Sequence, residues 1–162
     1  MFNKYKKYDL PLYFPHKFGE NIVFMSLEAQ INENGLCIID LEVITDLKQT
    51  YESSDKISVK AMIDTGASRC AISTKLFEQL SLKKERPTTI RGFENQETFF
   101  TEINLVIPKV SKQMVYPASC VINSNMSETD FDIIIGADYL QHLRFERIGS
   151  QNKFILSIEN VS

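Results

Sequence analysis

The sequence predicts a mainly β domain, a barrel or a sandwich, with one or two short helices. Short runs of alternating apolar and β-branched residues recur along the chain, and turn-forming residues separate them. Helical spacing of apolar residues occurs in only two short segments. The chain has 162 residues and 43% of them are hydrophobic, which is enough for a single domain with a core.

The elements are taken in order from the amino terminus. Residues 1–20 hold prolines, a glycine and aromatic residues without periodicity, which predicts an irregular N-terminal arm ahead of a domain at 21–162. The segments 21–30 and 36–45 are rich in apolar and β-branched residues, and the turn sequence at 32–35 lies between them. They are predicted to form a hairpin.

A polar loop at 46–55 precedes the most regular strand pattern in the chain. Residues 56–63 alternate apolar and polar positions, which predicts a half-buried strand that leads directly into Asp64. A short strand at 70–72 follows. Ser73 is then placed to cap a helix of about two turns, because apolar residues recur at 76, 77 and 80.

The second half of the chain continues the β pattern. Extended runs at 88–91 and 98–107 flank a possible turn at 92–96, which predicts a long hairpin. A strand is expected at 115–123, a polar loop at 124–130 and a short apolar run at 131–135 that Gly136 ends. One or two helical turns at 137–144 and two strands, 145–147 and 154–158, complete the prediction.

Composition disfavours several classes of function. The net charge is −3 and the basic residues are scattered, so no basic stripe favours nucleic acid as a partner. The cysteines, Cys37, Cys70 and Cys120, are odd in number and widely spaced, which is typical of reduced thiols in a cytoplasmic protein and not of a disulfide framework or a zinc site. No segment approaches the roughly 20 apolar residues of a membrane span. No apolar run near the amino terminus is typical of a signal peptide.

The triplet Asp64-Thr65-Gly66 is the principal candidate for chemistry. Such a triplet alone is weak evidence of function, since roughly one in ten to twenty chains of this size contains one by chance. Here it follows the end of an apolar strand and continues as Ala67-Ser68. A carboxylate at a tight turn, a small hydroxyl residue and a glycine that admits a close backbone are a plausible set for binding a peptide.

The segment Met62–Ser68 resembles the active-site motif of the retropepsins, the single-domain aspartic proteases of retroviruses and their relatives. The segment from Ile133 to Leu140 resembles a second motif of that family. The resemblance implies a structural role for Ile134, Ile135 and Gly136. The predicted hairpin at 92–96 lies where the family has its flap. Two positions depart from the retroviral pattern: Ala137 stands where an arginine is common, and Gly92 is the only glycine of the flap.

The resemblance implies a retropepsin-like β-barrel that acts as a two-fold homodimer. The chemistry needs two carboxylates that share a proton, and the chain has a single triplet, so Asp64 of two chains would form the catalytic pair. Thr65 and Gly66 would support the loop, and no metal or cofactor is required. The resemblance also implies a peptide or protein substrate, bound by these residues: Gly66, Ala67, Ser68, Gly92 and Phe93.

Other interpretations stay open at this point. Asp64 could be an ordinary turn residue of a plain β domain, or the domain could be a retropepsin-fold module that binds peptides or dimerises without cleaving. Cys70 lies near the triplet, but no histidine is paired with it in the sequence, so a buried thiol is favoured over a nucleophile. His16 and His142 have no partners at metal-binding spacing, and Asp138 is expected to start a helix or to lie in an interface.

Overall fold

The computed structural model describes residues 25–158, apart from 93 and 127, and the short strand Leu12–Tyr13. This part of the chain forms strands joined by short turns and two short helices. The strands are β1 (Leu12–Tyr13), β2 (Leu27–Gln30), β3 (Cys37–Asp46), β4 (Asp55–Ile63), β5 (Cys70–Ser73), β6 (Pro87–Ile90), β7 (Gln96–Ile107), β8 (Ser111–Asn123), β9 (Ile133–Ile135), β10 (Leu143–Ile148) and β11 (Lys153–Ile158). The helices are α1 (Thr74–Gln79) and α2 (Ala137–Leu140).

Six strands close into a barrel. They are hydrogen-bonded in the order β8-β5-β9-β4-β3-β7, and β7 pairs in turn with β8, which removes the open edges of the sheet. The marginal strands β1 and β6 extend this sheet beside β8 and β7. A separate three-stranded sheet has the order β10-β11-β2. The domain is therefore mainly β, as the sequence predicts.

Two parallel pairings lie next to the two motifs of the sequence. Strand β4 runs parallel to β9, with Ile63 opposite Ile135, and β5 runs parallel to β8, with Cys70 opposite Cys120. Strand β9 also pairs antiparallel with β5. The loop at 64–69, which joins β4 to β5, therefore lies against the residues that follow β9.

The core follows from the alternation of apolar side chains along the strands. In β3 the buried positions alternate with partly buried or exposed ones, so that Leu41 and Val43 point inward. One cluster of buried residues joins the barrel to the three-stranded sheet, because Phe154 and Leu156 of β11 pack with it. This shared core makes the two sheets one hydrophobic unit.

The predicted hairpin of 21–30 with 36–45 is wrong. The turn between them does form, since the Asn32 side chain accepts hydrogen bonds from the backbone N–H groups of Asn34 and Leu36, and Gly35 has a φ of +76°. The strands nevertheless diverge: β2 pairs with β11, and β3 pairs with β4 and β7. Residues 21–24 lie outside the described part. Alternation identifies a strand, but its partner depends on the whole topology.

Most of the other predicted elements are confirmed. Strand β4 ends at Ile63, as expected, and the Ser73 hydroxyl caps α1 by accepting from the N–H of Leu76 at 3.1 Å. The hairpin of β6 and β7 forms with Ile90 opposite Gln96. Helix α2 is shorter than the predicted 137–144, because strand β10 already begins at Leu143.

Part of the predicted N-terminal arm is in regular structure. Leu12 and Tyr13 pair antiparallel with Val115 and Met114 of β8, and the other residues of 1–20 lie outside the described part. The boundary between arm and domain stays a prediction. None of the helices described here combines the length and the apolar character that crossing a membrane would need.

Candidate active site

Asp64 is the first residue after β4, and its backbone is fixed by the neighbouring strand. Its N–H donates to the carbonyl of Ile135 at 3.0 Å, which extends the parallel pairing of β4 and β9 by one bond. The loop then turns tightly, because the N–H of Ala67 donates to the Asp64 carbonyl at 3.2 Å. Asp64 is half-buried, whereas Thr65 and Gly66 are exposed.

The carboxylate of Asp64 is oriented by its own loop. The N–H of Gly66 donates to the Asp64 Oδ1 atom at 2.9 Å, an Asx turn of the kind that aspartate forms two residues ahead of a glycine. A Cβ atom at position 66 would lie 3.3 Å from the same oxygen, which is a tight contact. Glycine at this position therefore leaves the carboxylate room beside the turn.

Gly136 lets the loop at 64–69 approach the end of β9 closely. A Cβ atom on Gly136 would lie 2.4 Å from the carbonyl oxygen of Arg69 and 3.0 Å from that of Ala67. The contact is held by two hydrogen bonds, from the N–H of Ala137 to the Ala67 carbonyl at 2.7 Å and from the N–H of Asp138 to the Ser68 carbonyl at 3.3 Å. The second motif thus supports the loop that carries Asp64.

Asp138 has a definite structural contact that the sequence did not predict. Its Oδ1 atom accepts from the backbone N–H of Cys70 at 3.1 Å and lies 3.4 Å from the Cys70 Sγ atom. It therefore ties the start of β5 to the first turn of α2, at the far end of the loop at 64–69, which we call the active-site loop. The separation of 138 − 70 = 68 residues explains why no local pattern indicated this pair.

A cluster of buried thiols and phenols lies behind the loop. Cys70 and Cys120 are opposite each other on β5 and β8, and both are buried. The hydrogen bond with Cys120 and then burial raise the pKa of the Cys70 thiol well above its ordinary value. The rings of Tyr116 and Tyr139 pack 5.2 Å apart in the same core, and burial raises the pKa of Tyr139. Cys70 is therefore held as a neutral thiol, which disfavours it as a nucleophile.

Of the two histidines, His142 belongs to the described part of the chain. His142 is half-buried just after α2, 3.5 Å from the Gln141 side chain, and His16 lies outside the described residues. Within the described part of the chain, no three His, Cys, Asp or Glu side chains gather as a metal site would require.

A groove of about 870 Å³ lies between the active-site loop and β6. It contains the predicted binding residues Gly66, Ala67 and Ser68, and Ile134 of the second motif. Gly92 is exposed at the tip of the hairpin and does not line the groove, and Phe93 lies outside the described residues. Ile135 and Gly136 of the same motif are buried.

Several groove residues were missed by the sequence interpretation. They come from the active-site loop, from the β6 strand and its flanks, and from β7 and β8, and they include Arg69, Arg86, Thr88, Thr89, Arg91, Phe100 and Asn123. The sequence indicated only that 88–91 and Phe100 belong to the predicted hairpin and that Arg69 directly follows Ser68. These segments are distant from one another in sequence and meet only when the barrel closes.

Comparison with known proteins places the chain in a family. Residues 52–142, more than half of the chain, match the family described as gag-polyprotein putative aspartyl protease. A retropepsin-like aspartic protease from Rickettsia conorii has a similar structure, with a TM-score of 0.57, 18% identity, and coverage of 86% of this chain and 96% of that one. The retroviral protease-like domain of Ddi1 from Leishmania major gives a TM-score of 0.45 and 17% identity, with coverage of 78% and 90%.

A search of curated proteins gave no match. The family match contains both the Asp64 triplet and the Gly136 motif, and the barrel has the fold of the Rickettsia enzyme. The chain therefore belongs to the gag-polyprotein putative aspartyl protease family and has a retropepsin-like β-barrel.

Proposed function

We propose that this chain is an aspartic endopeptidase that works as a homodimer, with Asp64 of each chain in one shared catalytic pair. The observation that carries the proposal is the link between Asp64 and the groove: the Asp64 carboxylate accepts from the Gly66 N–H, and Gly66, Ala67 and Ser68 of the same loop line a groove large enough for an extended peptide. Family membership supports this assignment of the triplet.

The requirement for two chains follows from the chemistry. A water attack on a peptide carbonyl needs a base to take a proton from the water and an acid to give one to the carbonyl oxygen. Two adjacent carboxylates that share a single proton provide both, because like charges at close range do not both ionise. In the chain itself Asp138, the other acidic residue tied to this loop, is engaged by Cys70. A two-fold axis beside the exposed Thr65 and Gly66 would supply the second Asp64.

In the proposed reaction, the ionised Asp64 removes a proton from water as the water attacks the scissile carbonyl. The protonated Asp64 of the second chain donates to the carbonyl oxygen, and a tetrahedral diol forms without a covalent enzyme intermediate. Proton transfer to the leaving nitrogen then breaks the C–N bond. The hairpin of β6 and β7 covers one side of the groove, so an extended substrate would lie between this hairpin and the active-site loop.

The catalytic assignment is tested by Asp64→Asn. The asparagine oxygen still accepts from the Gly66 N–H, so the turn is preserved while the titratable group is lost. We expect peptide cleavage at mildly acid pH to fall by about 10²–10⁴-fold. Asp40→Asn is the matched control, because this substitution makes the same chemical change at an exposed position of β3. Equal activity of the two variants would remove Asp64 from the mechanism.

The dimer is tested by mixing wild-type chains with Asp64→Asn chains at equal concentration. If the site is shared, random pairing gives dimers of which about one quarter contain two wild-type chains. Activity then falls to about one quarter of that of an all-wild-type sample at the same total concentration. If each chain carries a complete site, about one half remains. Sedimentation at micromolar concentration provides the independent measurement, and a cleaving protein that is strictly monomeric contradicts the proposal.

A further inference from the structure

The groove beside Asp64 contains an unusual share of the chain's arginines. The chain has five, Arg69, Arg86, Arg91, Arg144 and Arg147, and the first three line the groove. Among the described residues that line the groove, none is aspartate, glutamate or lysine. The groove is therefore cationic within a protein whose net charge is −3. A localised field of this sign favours an anionic ligand.

Two of the three groove arginines, Arg69 and Arg86, lie over the same aromatic ring. The Arg86 guanidinium lies 4.4 Å from the ring centre of Phe100, and that of Arg69 lies 5.8 Å from it. Phe100 itself is 7% exposed, so it is a fixed platform. Within the described part of the chain, none of the three groove arginines forms a salt bridge. Their charge is thus left for a ligand, and a guanidinium held on a ring keeps its donors available to a carboxylate.

The rest of the groove suits a peptide. Ala71, Val121 and Ile134 provide apolar surface in the groove. Strand β6 contributes Thr88, Thr89 and Ile90, and it pairs only with β7 among the described strands, at the end of the eight-stranded sheet. A free strand edge accepts an extended backbone by main-chain hydrogen bonds. Apolar surface and a strand edge are features that a nucleic acid backbone would not use.

We propose that this groove selects peptides with acidic side chains near the scissile bond, and that Arg69, Arg86 and Arg91 recognise those carboxylates. This inference rests on the proposed endopeptidase function. Arg69 is the last residue of the active-site loop and Arg91 directly follows β6, so the cationic side chains face the groove from the loop and from the hairpin. Glutamate or aspartate on either side of the cleaved residues would then meet a guanidinium, and lysine there would be repelled.

The first test compares peptides that differ only in one flanking residue, Glu, Gln or Lys, in cleavage by the wild-type protein. We expect kcat/KM for the Glu peptide to exceed that for the Gln peptide by about three- to tenfold, the range of one or two exposed ion pairs, and to fall toward it as salt rises. The Lys peptide should be the poorest of the three. Equal rates for Glu and Gln peptides, or a preference for Lys, overturn the inference and leave the endopeptidase proposal standing.

Variants identify the residues responsible. Arg91→Gln should reduce the preference for Glu to about twofold or less, and Arg91→Glu should turn it toward Lys. Arg86→Lys keeps the charge but loses the planar guanidinium that stacks on Phe100, so it should retain part of the preference, while Arg86→Gln should lose it. Arg144→Gln removes the same charge from exposed β10, outside the groove, and should behave as wild type. A loss of preference in Arg144→Gln equal to that in the groove variants would overturn the assignment.

Binding to the Asp64→Asn variant separates this inference from the proposed function. Fluorescence anisotropy with labelled Glu and Gln peptides should show the same order of affinity without any cleavage. If Glu peptides bind selectively but the wild-type protein cleaves none, the recognition stands and the endopeptidase proposal fails. A single-stranded oligonucleotide and unlabelled Glu peptide are then compared as competitors of the labelled Glu peptide. If the oligonucleotide displaces it at a lower concentration than the unlabelled peptide does, the groove is a nucleic acid site and the inference is overturned.

Discussion

Gly136→Ala gives the sharpest prediction about the architecture of the site. The φ of Gly136 is −95° and its ψ is −179°, an extended conformation that alanine adopts without strain. The effect of the substitution is therefore steric. The new Cβ would lie 2.4 Å from the oxygen and 2.5 Å from the carbon of the Arg69 carbonyl group. A normal contact is about 3.5 Å, so the backbone of one segment must move by about 1 Å.

The expected cost can be built from two contributions. Forcing a methyl group into a packed site costs about 1–3 kcal/mol in the free energy of unfolding. Separating the segments also weakens the 2.7 Å hydrogen bond from the Ala137 N–H to the Ala67 carbonyl, which contributes about 0.5–1.5 kcal/mol. Replacing glycine by alanine also stabilises the protein by about 0.4–1 kcal/mol, because it reduces the conformational entropy of the unfolded chain. The same contribution applies to a matched glycine elsewhere.

Gly149→Ala is that matched variant, because nothing lies within 4 Å of a Cβ atom at Gly149. Urea unfolding should show Gly136→Ala less stable than Gly149→Ala by about 2–4 kcal/mol. A displacement of about 1 Å in the loop that carries Asp64 should also lower kcat/KM by about 100-fold, with Gly149→Ala unchanged. If the two variants have the same urea midpoint and the same activity, the loop is not packed against Gly136.

Two further predictions concern the surroundings of the loop. Asp138→Ala leaves the buried N–H of Cys70 without its acceptor and should lower the free energy of unfolding by about 1.5–3 kcal/mol in urea titration. The control Asp130→Ala, in an exposed loop, should leave the free energy of unfolding unchanged. Equal stability of the two variants would contradict the contact between Asp138 and Cys70. The native protein should resist alkylation by iodoacetamide at about pH 8, because Cys37, Cys70 and Cys120 are all buried. Burial also raises the pKa of Cys37, and the hydrogen bond with Cys120 together with burial raises the pKa of Cys70. Mass spectrometry should find alkylation only after denaturation, and rapid modification of native Cys70 would refute its placement in the core.

Local features of the fold were predictable from the sequence because local chemistry determines them. The strand that ends at Ile63 follows from alternation of period two, and the start of α1 follows from the ability of Ser73 to accept from an N–H three residues later. The position of Asp64 at a tight turn follows from the glycine two residues on. Each of these conclusions needed only a few adjacent residues.

The features that were missed depend on contacts between distant segments. Nothing near Leu27 indicates that β2 will pair with β11 rather than with the strand that follows it. The groove arginines, at positions 69, 86 and 91, belong to three different loop segments, and their common location appears only once β6 and the active-site loop face each other. Charge counted along the chain gave no basic stripe, whereas charge in space gives a cationic groove.

The parallel pairing of β4 with β9 also has a consequence for the order of events in folding. Ala61 lies opposite Ile133, a separation of 133 − 61 = 72 residues, and Cys70 lies opposite Cys120, a separation of 120 − 70 = 50 residues. Such non-local parallel contacts form slowly, because a long loop must close before they contribute stability. During synthesis, Asp64 leaves the ribosome well before Gly136, whose segment fixes its loop. The nascent chain thus stays without a formed active-site loop until most of the barrel has been made, which would delay any proteolysis to the end of folding.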